Sequence, residues 1–385
     1  MRWYGDRDVL SLHELRQAGI TGIVTALHHI PIGDIWSIEE INKTKKQIEQ
    51  EGLKWEVVES LPVHEKIKKR TGNYEQLIAN YKQSLQNLAS EGIYTVTYNF
   101  MPILDWVRTD HHFKNAAGAS ILKYDPVKFR IFDLFILKRP GAKDDYTESQ
   151  IEEAFQKYNA ISNEEKSILK KSIMLGLPGS TVNFTTENLL TQLEEYKDID
   201  ASQLRQHLLL FLNEITPIAI ESGIKLAIHP DDPPFSVLGL PRIVSTSEDL
   251  EYIFSNVKSN SCGLCYCTGS LGANSENDLI SIFNNHKDRI HFLHLRNVKK
   301  YPDGSFIESD HLTGDVPMVA VMKSILKHTA QTNQKIPLRP DHGYLHSLED
   351  DKPYYAGYSF IGRLKGLAEL TGLEMGLLDT NSKNK

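Results

Sequence analysis

The 385-residue sequence has few cysteines and no long apolar run, and each shortage excludes a class of protein. Its three cysteines, Cys262, Cys265 and Cys267, lie too close together to form disulfides between distant segments. No uninterrupted apolar run approaches the ~18 residues of a membrane-spanning helix, and the start, Met1 to Gly5, lacks the pattern of a signal peptide. We therefore expect a cytoplasmic protein with no membrane partner, whose cysteines are reduced or bind a metal.

An excess of positive charge is also missing. The chain carries 43 Lys and Arg against 50 Asp and Glu, a formal net charge of −7. Binding to nucleic acid draws mainly on clustered Lys and Arg that neutralise phosphates, so we expect no nucleic-acid partner. Hydrophobic residues make up 40% of the chain, which is ordinary for a globular protein with a large core.

Short β-rich runs recur along the chain, and a helical pattern follows each of them. This alternation is typical of repeated βα units around a parallel sheet. Eight such runs predict an α/β protein with a (β/α)8 barrel fold. The predicted strands are Arg2–Tyr4, Thr21–Leu27, Lys54–Glu59, Tyr94–Phe100, Lys225–His229, Gly263–Cys267, His291–Leu295 and Pro337–Pro340.

One interval breaks this rhythm. More than a hundred residues separate Phe100 from Lys225, and their middle, from about Asp144 to Lys171, is charged and helical in pattern. We expect a helical insertion after strand four that projects from the rim as a lid or a contact arm, which makes a homodimer plausible. The predicted organisation is one barrel domain at 1–378, an insertion at about 110–200 and a flexible tail at 379–385.

The carboxyl ends of the last four predicted strands each offer a metal ligand. These are His229, Cys267, His294 and Asp341, and active sites of such barrels lie at this rim. Imidazole, thiolate and carboxylate together suit Mn2+, Fe2+, Co2+ or Zn2+ better than Mg2+ or Ca2+. A lone His near a strand end is usually an ordinary polar residue, but four ligands on successive strands favour a metal site. A six-coordinate ion would keep two positions for substrate.

The other predicted strand ends are also polar. Their side chains can hydrogen-bond hydroxyl groups, provide an aromatic wall and meet a carboxylate, which suits a polyhydroxylated acid. Each of these residues taken alone is also compatible with ordinary loop polarity. The candidate substrate-binding residues are Trp3, Tyr4, His28, His29, Glu59, Asn99, Arg296 and Asn297.

Six motifs spread over nearly the whole chain resemble the mannonate dehydratase family, within the wider group of xylose isomerase-like TIM barrels. The resemblance implies a hydro-lyase of glucuronate catabolism that converts D-mannonate to 2-keto-3-deoxy-D-gluconate. It also implies Mn2+ or Fe2+ bound by His229, Cys267, His294 and Asp341. The motifs are Arg2–Gly5, Gly22–Pro31, His229–Pro234, Cys267–Gly272, His294–Val298 and Arg339–Gly343.

Dehydration of a 2,3-dihydroxy acid removes a weakly acidic C2 proton and expels a poor leaving group, so it needs proton transfer near the metal. We expect His342, beside the ligand Asp341, to transfer a proton with help from Tyr355 or Tyr358. His342 could instead only orient Asp341. Two rival functions remain, a metal-dependent sugar isomerase on the same barrel and a metal-binding protein without catalysis.

Overall fold

The computed structural model describes residues 1–176 and 184–383, and a parallel sheet forms its centre. The strands in chain order are β1 (Gly22–Thr25), β2 (Lys54–Val58), β3 (Thr95–Tyr98), β4 (Asp110–Lys114), β5 (Ser120–Tyr124), β6 (Lys225–Ile228), β7 (Cys262–Cys267), β8 (Ile290–Leu295), β9 (Asn297–Lys300), β10 (Phe306–Ser309) and β11 (Leu338–Pro340).

Helices follow most barrel strands and surround the sheet. They are α1 (Leu12–Gln17), α2 (Ile38–Gln50), α3 (Glu65–Lys69), α4 (Tyr74–Ser90), α5 (Pro126–Ile131), α6 (Glu148–Ala160), α7 (Asn163–Met174), α8 (Thr186–Glu194), α9 (Ala201–Glu221), α10 (Ser247–Asn256), α11 (Thr268–Gly272), α12 (Leu279–His286), α13 (Met318–Thr332) and α14 (Phe360–Lys383). In the described parts of the chain, none of the helices has the length and apolar character that crossing a bilayer requires.

The central sheet confirms the predicted TIM barrel class. Seven parallel strands pair in the order β1-β2-β3-β6-β7-β8-β11, and each lies within three residues of its predicted bounds. The first predicted strand, Arg2–Tyr4, was too long, because only Arg2 bridges Val24 before a 3-10 helix begins at Gly5. The glycine has φ +75°, which turns the chain away from the sheet.

Both faces of the strands are buried, which explains their continuous apolar runs. Side chains on the inner face, such as Val24, Val57 and Phe292, pack together inside the barrel. Cys265 belongs to this inner cluster and is fully buried, as a small apolar residue would be. Side chains on the outer face pack against the helices. All seven carboxyl ends therefore meet at one rim.

The segment between β3 and β6 is largely helical, as predicted, and its apolar side chains form a second core together with residues of the loop after β6 and of β9 and β10. It begins, however, with a hairpin of β4 and β5 that the sequence did not reveal. This hairpin pairs with a second hairpin, β9 and β10, which follows β8, in the order β4-β5-β10-β9. We call this antiparallel four-stranded unit the accessory sheet. It pairs two segments that are distant in the sequence, so short-range periodicity could not predict it.

Two predicted boundaries fall partly outside the described residues. The predicted insertion at 110–200 includes residues 177–183, and the predicted tail includes 384–385, both of which lie outside them. The remaining part of that tail continues α14 as far as Lys383.

Candidate metal centre and catalytic cavity

Three of the four predicted ligands come together at the carboxyl rim. His229 directly follows β6, Cys267 ends β7 and His294 lies near the end of β8. One ligand atom from each residue lies within 4.8 Å of the other two. Because neighbouring parallel strands pair in register, Cys267 lies opposite His294 in the sheet. The strands therefore bring imidazole, thiolate and imidazole to one point.

The hydrogen bonds around the two histidines indicate which of their ring nitrogens can bind a metal ion. Nδ1 of His229 donates to the carbonyl of Pro230 over 2.7 Å, so its Nε2 is left without that proton. Among the described residues, neither ring nitrogen of the buried His294 makes a well-formed hydrogen bond, although its Nε2 lies 3.3 Å from Oε2 of Glu59. Buried polar atoms without partners are costly, and a bound cation would satisfy them.

The charges around the cluster also suit a cation. Burial alone raises the pKa of the Cys267 thiol, but the Arg296 guanidinium and a hydrogen bond from His229 outweigh this and hold it well below its usual range. Burial lowers the pKa of His229, but the Cys267 thiolate has the larger, opposite effect, and the pKa is raised to about 9. The metal-free cluster therefore holds a proton on His229, and a divalent ion can take the place of that positive charge.

Asp341 lies beside this compact group rather than within it. Its Oδ2 is 3.9 Å from Sγ of Cys267, and its Oδ1 accepts a hydrogen bond from Nη1 of Arg339 over 2.6 Å. Burial raises the pKa of Asp341, but Arg339 and neighbouring cations hold it well below the usual carboxyl range. Asp341 is therefore a carboxylate with one oxygen directed to the cluster.

Glu59, predicted to bind substrate, lies beside the cluster and is already engaged by two arginines. Arg339 donates to both of its carboxylate oxygens, over 3.0 and 2.7 Å, and Arg2 lies 3.0 Å from Oε1. Its Oε2 is also 3.3 Å from Nε2 of His294. Glu59 thus orients the groups around the metal ligands and has little capacity left for a substrate hydroxyl.

A second set of buried charges connects the rim to the accessory sheet. Arg108 is fully buried and makes two hydrogen bonds to Asp232, of 2.7 and 3.1 Å, and one to Glu308, of 2.9 Å. Asp232 also accepts from Arg296 over 2.7 Å. We call these four residues the buried ion network. Sequence reasoning missed Glu308, because β10 was not predicted as a strand and Glu308 is not next to any predicted strand end in the sequence.

A polar cavity lies between the metal ligands and the first strands. Many of the predicted site residues line it. Its wall also includes Arg2, Arg339, Asp232 and Trp106, which are not among the candidate catalytic, substrate-binding or metal-binding residues. The predicted site residues that line it are Tyr4, Glu59, Asn99, His229, Arg296, Asp341, His342 and Tyr358.

Several predicted substrate-binding residues do not line this cavity. Trp3 packs into the apolar core, and the His28 ring lies 5.5 Å from the Tyr4 ring at the outer side. His29 is about half exposed and forms an ion pair of 2.8 Å with Glu40. Asn297 is fully buried, and its amide donates to backbone carbonyls in the loop after β10.

The two candidate tyrosines differ in position. Tyr358 is buried, lines the cavity and places its ring 5.2 Å from that of His342. Tyr355 is 38% exposed and packs against the outer side of Tyr4, with 4.5 Å between ring centroids. His342 itself has φ +56°, an uncommon backbone conformation for a residue with a side chain.

Comparison with known proteins agrees with this geometry. Residues 1–384 match the family model described as D-mannonate dehydratase (UxuA). A mannonate dehydratase from Marinomonas sp. (strain MWYL1) is 47% identical over 388 residues, covering 98% of each chain. A mannonate dehydratase from Saccharophagus degradans is 45% identical over 382 residues, covering 97% of this chain and 96% of its own.

Solved structures give the same result. The crystal structure of mannonate dehydratase from Streptococcus suis serotype 2 is 31% identical, with a TM-score of 0.79 over 99% of this chain and 93% of the other. A xylose isomerase-like TIM barrel protein from Mycobacterium smegmatis, 13% identical with a TM-score of 0.51 over 94% of this chain and 86% of its own, shares the fold alone. The chain belongs to the D-mannonate dehydratase (UxuA) family.

Proposed function

We propose that this protein is a hydro-lyase that removes water from D-mannonate to give 2-keto-3-deoxy-D-gluconate. The observation that carries this proposal is the cluster of His229, Cys267 and His294, which opens onto a polar cavity with His342 and Tyr358 on its wall. Cations such as Arg296 line the same cavity and can meet a sugar-acid carboxylate.

We propose that His229, Cys267, His294 and Asp341 hold one Mn2+ or Fe2+ ion. A thiolate and two imidazoles make a donor set that suits these ions better than Mg2+. Bound there, the ion would act as a Lewis acid that stabilises negative charge developing beside the substrate carboxylate. Arg339 holds Oδ1 of Asp341 and leaves Oδ2 toward the ion.

The proton transfers fall to this chain's own side chains. His342 and Tyr358 face each other at one end of the cavity, with their rings edge to face. One takes the C2 proton, and the other protonates the C3 hydroxyl oxygen as the C3–O bond breaks and water leaves. The product of these steps is an enol, which ketonises to the 2-keto acid. Tyr358 suits this role better than Tyr355 because it is the one that lines the cavity.

The test is an anaerobic assay of metal-depleted protein with D-mannonate, with and without added Mn2+ or Fe2+. We expect metal-dependent release of a 2-keto-3-deoxy acid, whereas D-gluconate and D-altronate serve as controls for stereochemistry. Failure to turn over D-mannonate with either metal would contradict the proposal. Interconversion of an aldose and a ketose would instead favour a sugar isomerase, and metal binding without any turnover would favour a non-catalytic role.

We further propose that the enzyme acts in glucuronate catabolism in the cytoplasm and assembles as a homodimer. The reduced cysteine ligand supports a reducing compartment, since oxidation of Cys267 would remove the thiolate. Light scattering of the metal-loaded protein tests the assembly, and a monomeric mass at micromolar concentration would contradict it.

A further inference from the structure

The accessory sheet brings one carboxylate to the back of His342. Glu308 lies on β10, and its Oε1 is 3.2 Å from Nδ1 of His342. Both side chains are more than nine-tenths buried. The same oxygen accepts a hydrogen bond from Arg108 over 2.9 Å, which fixes the carboxylate in place. Glu308 does not line the cavity beside the metal ligands, but it lines an adjoining cavity of about 350 Å³ that Asp341 and His342 also border.

Nδ1 of His342 has two neighbours that favour opposite tautomers. Arg296 Nη1 lies 3.1 Å away and can only donate a hydrogen bond, whereas the Glu308 carboxylate can only accept one. Without a proton on Nδ1, the lone pair of that nitrogen would face a carboxylate oxygen in a buried site. With the proton there, Nη1 of Arg296 loses Nδ1 as an acceptor but lies 3.5 Å from Oε1 of Glu308, and its Nη2 still donates to Asp232 over 2.7 Å. A proton on Nδ1 therefore costs one Arg296 contact, whereas its absence would set a lone pair against a buried carboxylate oxygen.

We propose that Glu308 is a positioning residue that accepts the Nδ1 proton of His342, orients the ring and leaves Nε2 as the atom that exchanges a proton with substrate. Nε2 lies on the side of Asp341, 3.8 Å from Oδ1. A carboxylate behind an imidazole fixes both its tautomer and its orientation, because the ring can then rotate only by breaking a buried hydrogen bond. The proposal rests on the proposed function, in which His342 transfers the proton.

The test compares Glu308→Gln, Glu308→Asp and the native protein, all loaded with Mn2+ and assayed with D-mannonate. Glu308→Gln removes the charge and can present an amide N–H to Nδ1, so we expect kcat to fall about 100-fold. KM and bound Mn2+ should stay within about threefold, because Glu308 does not line the cavity beside the metal ligands. Glu308→Asp keeps a carboxylate, so its kcat should be at least about tenfold higher than that of Glu308→Gln.

Two controls separate positioning from a purely structural role. Arg108→Lys keeps a cation beside the Glu308 carboxylate but weakens the rest of the buried ion network, so it should lower the melting temperature while kcat falls by less than about fivefold. Lys299→Ala alters an exposed residue of the neighbouring strand β9 and should leave kcat and KM unchanged.

Three outcomes would overturn the inference. In the first, Glu308→Gln retains native kcat. In the second, Arg108→Lys loses as much kcat as Glu308→Gln, which would make Glu308 only a counterion. In the third, Glu308→Asp folds with its metal but recovers no activity. If the native protein fails to turn over D-mannonate, both the proposed function and this inference fall. If the native protein is active and only the variants disagree, this inference alone fails.

Discussion

The metal cluster and the buried ion network lie side by side at the same rim, but their bonding differs. In the cluster, neither ring nitrogen of His294 makes a well-formed hydrogen bond among the described residues, although its Nε2 lies 3.3 Å from Glu59. In His229 the bond to Pro230 uses Nδ1 and not Nε2. In the network, Arg108 makes three short hydrogen bonds to the carboxylates of Asp232 and Glu308. Three atoms of the network, Nε of Arg108, Nε of Arg296 and Oε2 of Glu308, also lack a hydrogen bond among the described residues. Each member of the network nevertheless pairs with an opposite charge inside it, whereas the cluster presents donor atoms that suit a metal ion.

The two regions also differ in how the chain builds them. Each cluster residue lies at or near the end of a barrel strand, so regular parallel pairing brings the ligands together. The network joins a loop after β3, a loop after β6 and a hairpin after β8. Its members meet only because the accessory sheet forms. The comparison predicts that substitutions in the cluster mainly affect metal and chemistry, whereas loss of Arg108 from the network mainly affects stability.

The largest effect is expected from His294→Ala. This change removes a proposed ligand, so Mn2+ affinity should fall by more than about 100-fold and dehydratase activity should fall with it. Equilibrium dialysis followed by metal analysis measures the affinity. His291→Gln, at the other end of β8, is the matched control and should keep its metal. Full metal occupancy in the His294 variant would show that the cluster does not bind the ion.

The next largest effect is on stability, in Arg108→Ala. Removing the cation leaves two buried carboxylates with fewer partners, so the free energy of unfolding should fall by about 3–5 kcal/mol. Urea denaturation of the metal-loaded protein measures this change. Arg130→Ala breaks an ion pair with Glu153, which is 46% exposed, and should cost no more than about 1 kcal/mol. Equal losses in the two variants would remove the distinction between buried and surface pairs.

The contribution of the buried ion network to the unfolding free energy should depend on pH through the Glu308 carboxylate. Burial raises the pKa of Glu308, but Arg296 and His342 lower it more, from its ordinary value of 4.5 to about 2. The charged carboxylate thus stabilises the native state above about pH 5, and this contribution is lost as the pH falls toward 2. It should amount to roughly 3 kcal/mol.

Unfolding curves of the native protein and Glu308→Gln, measured at several pH values, test this dependence. The difference in unfolding free energy should be largest near neutral pH and should shrink in acid. A difference that stays constant down to about pH 3 would rule out the lowered pKa of Glu308.

The smallest effect is expected from His29→Ala, outside both regions. His29 is half exposed and pairs only with Glu40 on α2, so its loss should change the unfolding free energy by less than about 0.5 kcal/mol. Both kcat and KM for D-mannonate should stay native, which steady-state kinetics would measure. A tenfold rise in KM would restore His29 as a substrate-binding residue, as the sequence predicted.

The sequence by itself predicted the barrel and the positions of the candidate ligands. Buried parallel strands need continuous apolar runs, and barrels place chemistry at the carboxyl ends, so the residues at the ends of these runs could be identified locally. His229, Cys267 and His294 were found in this way, and the structure brings them within ligand distance of one another. The ligand roles themselves stay a prediction.

Only the tertiary structure decided what surrounds those ligands. Glu308 and Arg108 are separated by 200 residues in the sequence, and no periodicity connects them. Trp3 and Asn297 are of residue types that are common in binding sites. In the folded chain, however, Trp3 packs in the apolar core and Asn297 hydrogen-bonds to the backbone of the loop after β10. The physical reason is the separation of the interacting residues along the sequence. Strand periodicity depends on neighbouring residues, whereas buried charge pairs depend on segments that meet only after the chain has folded.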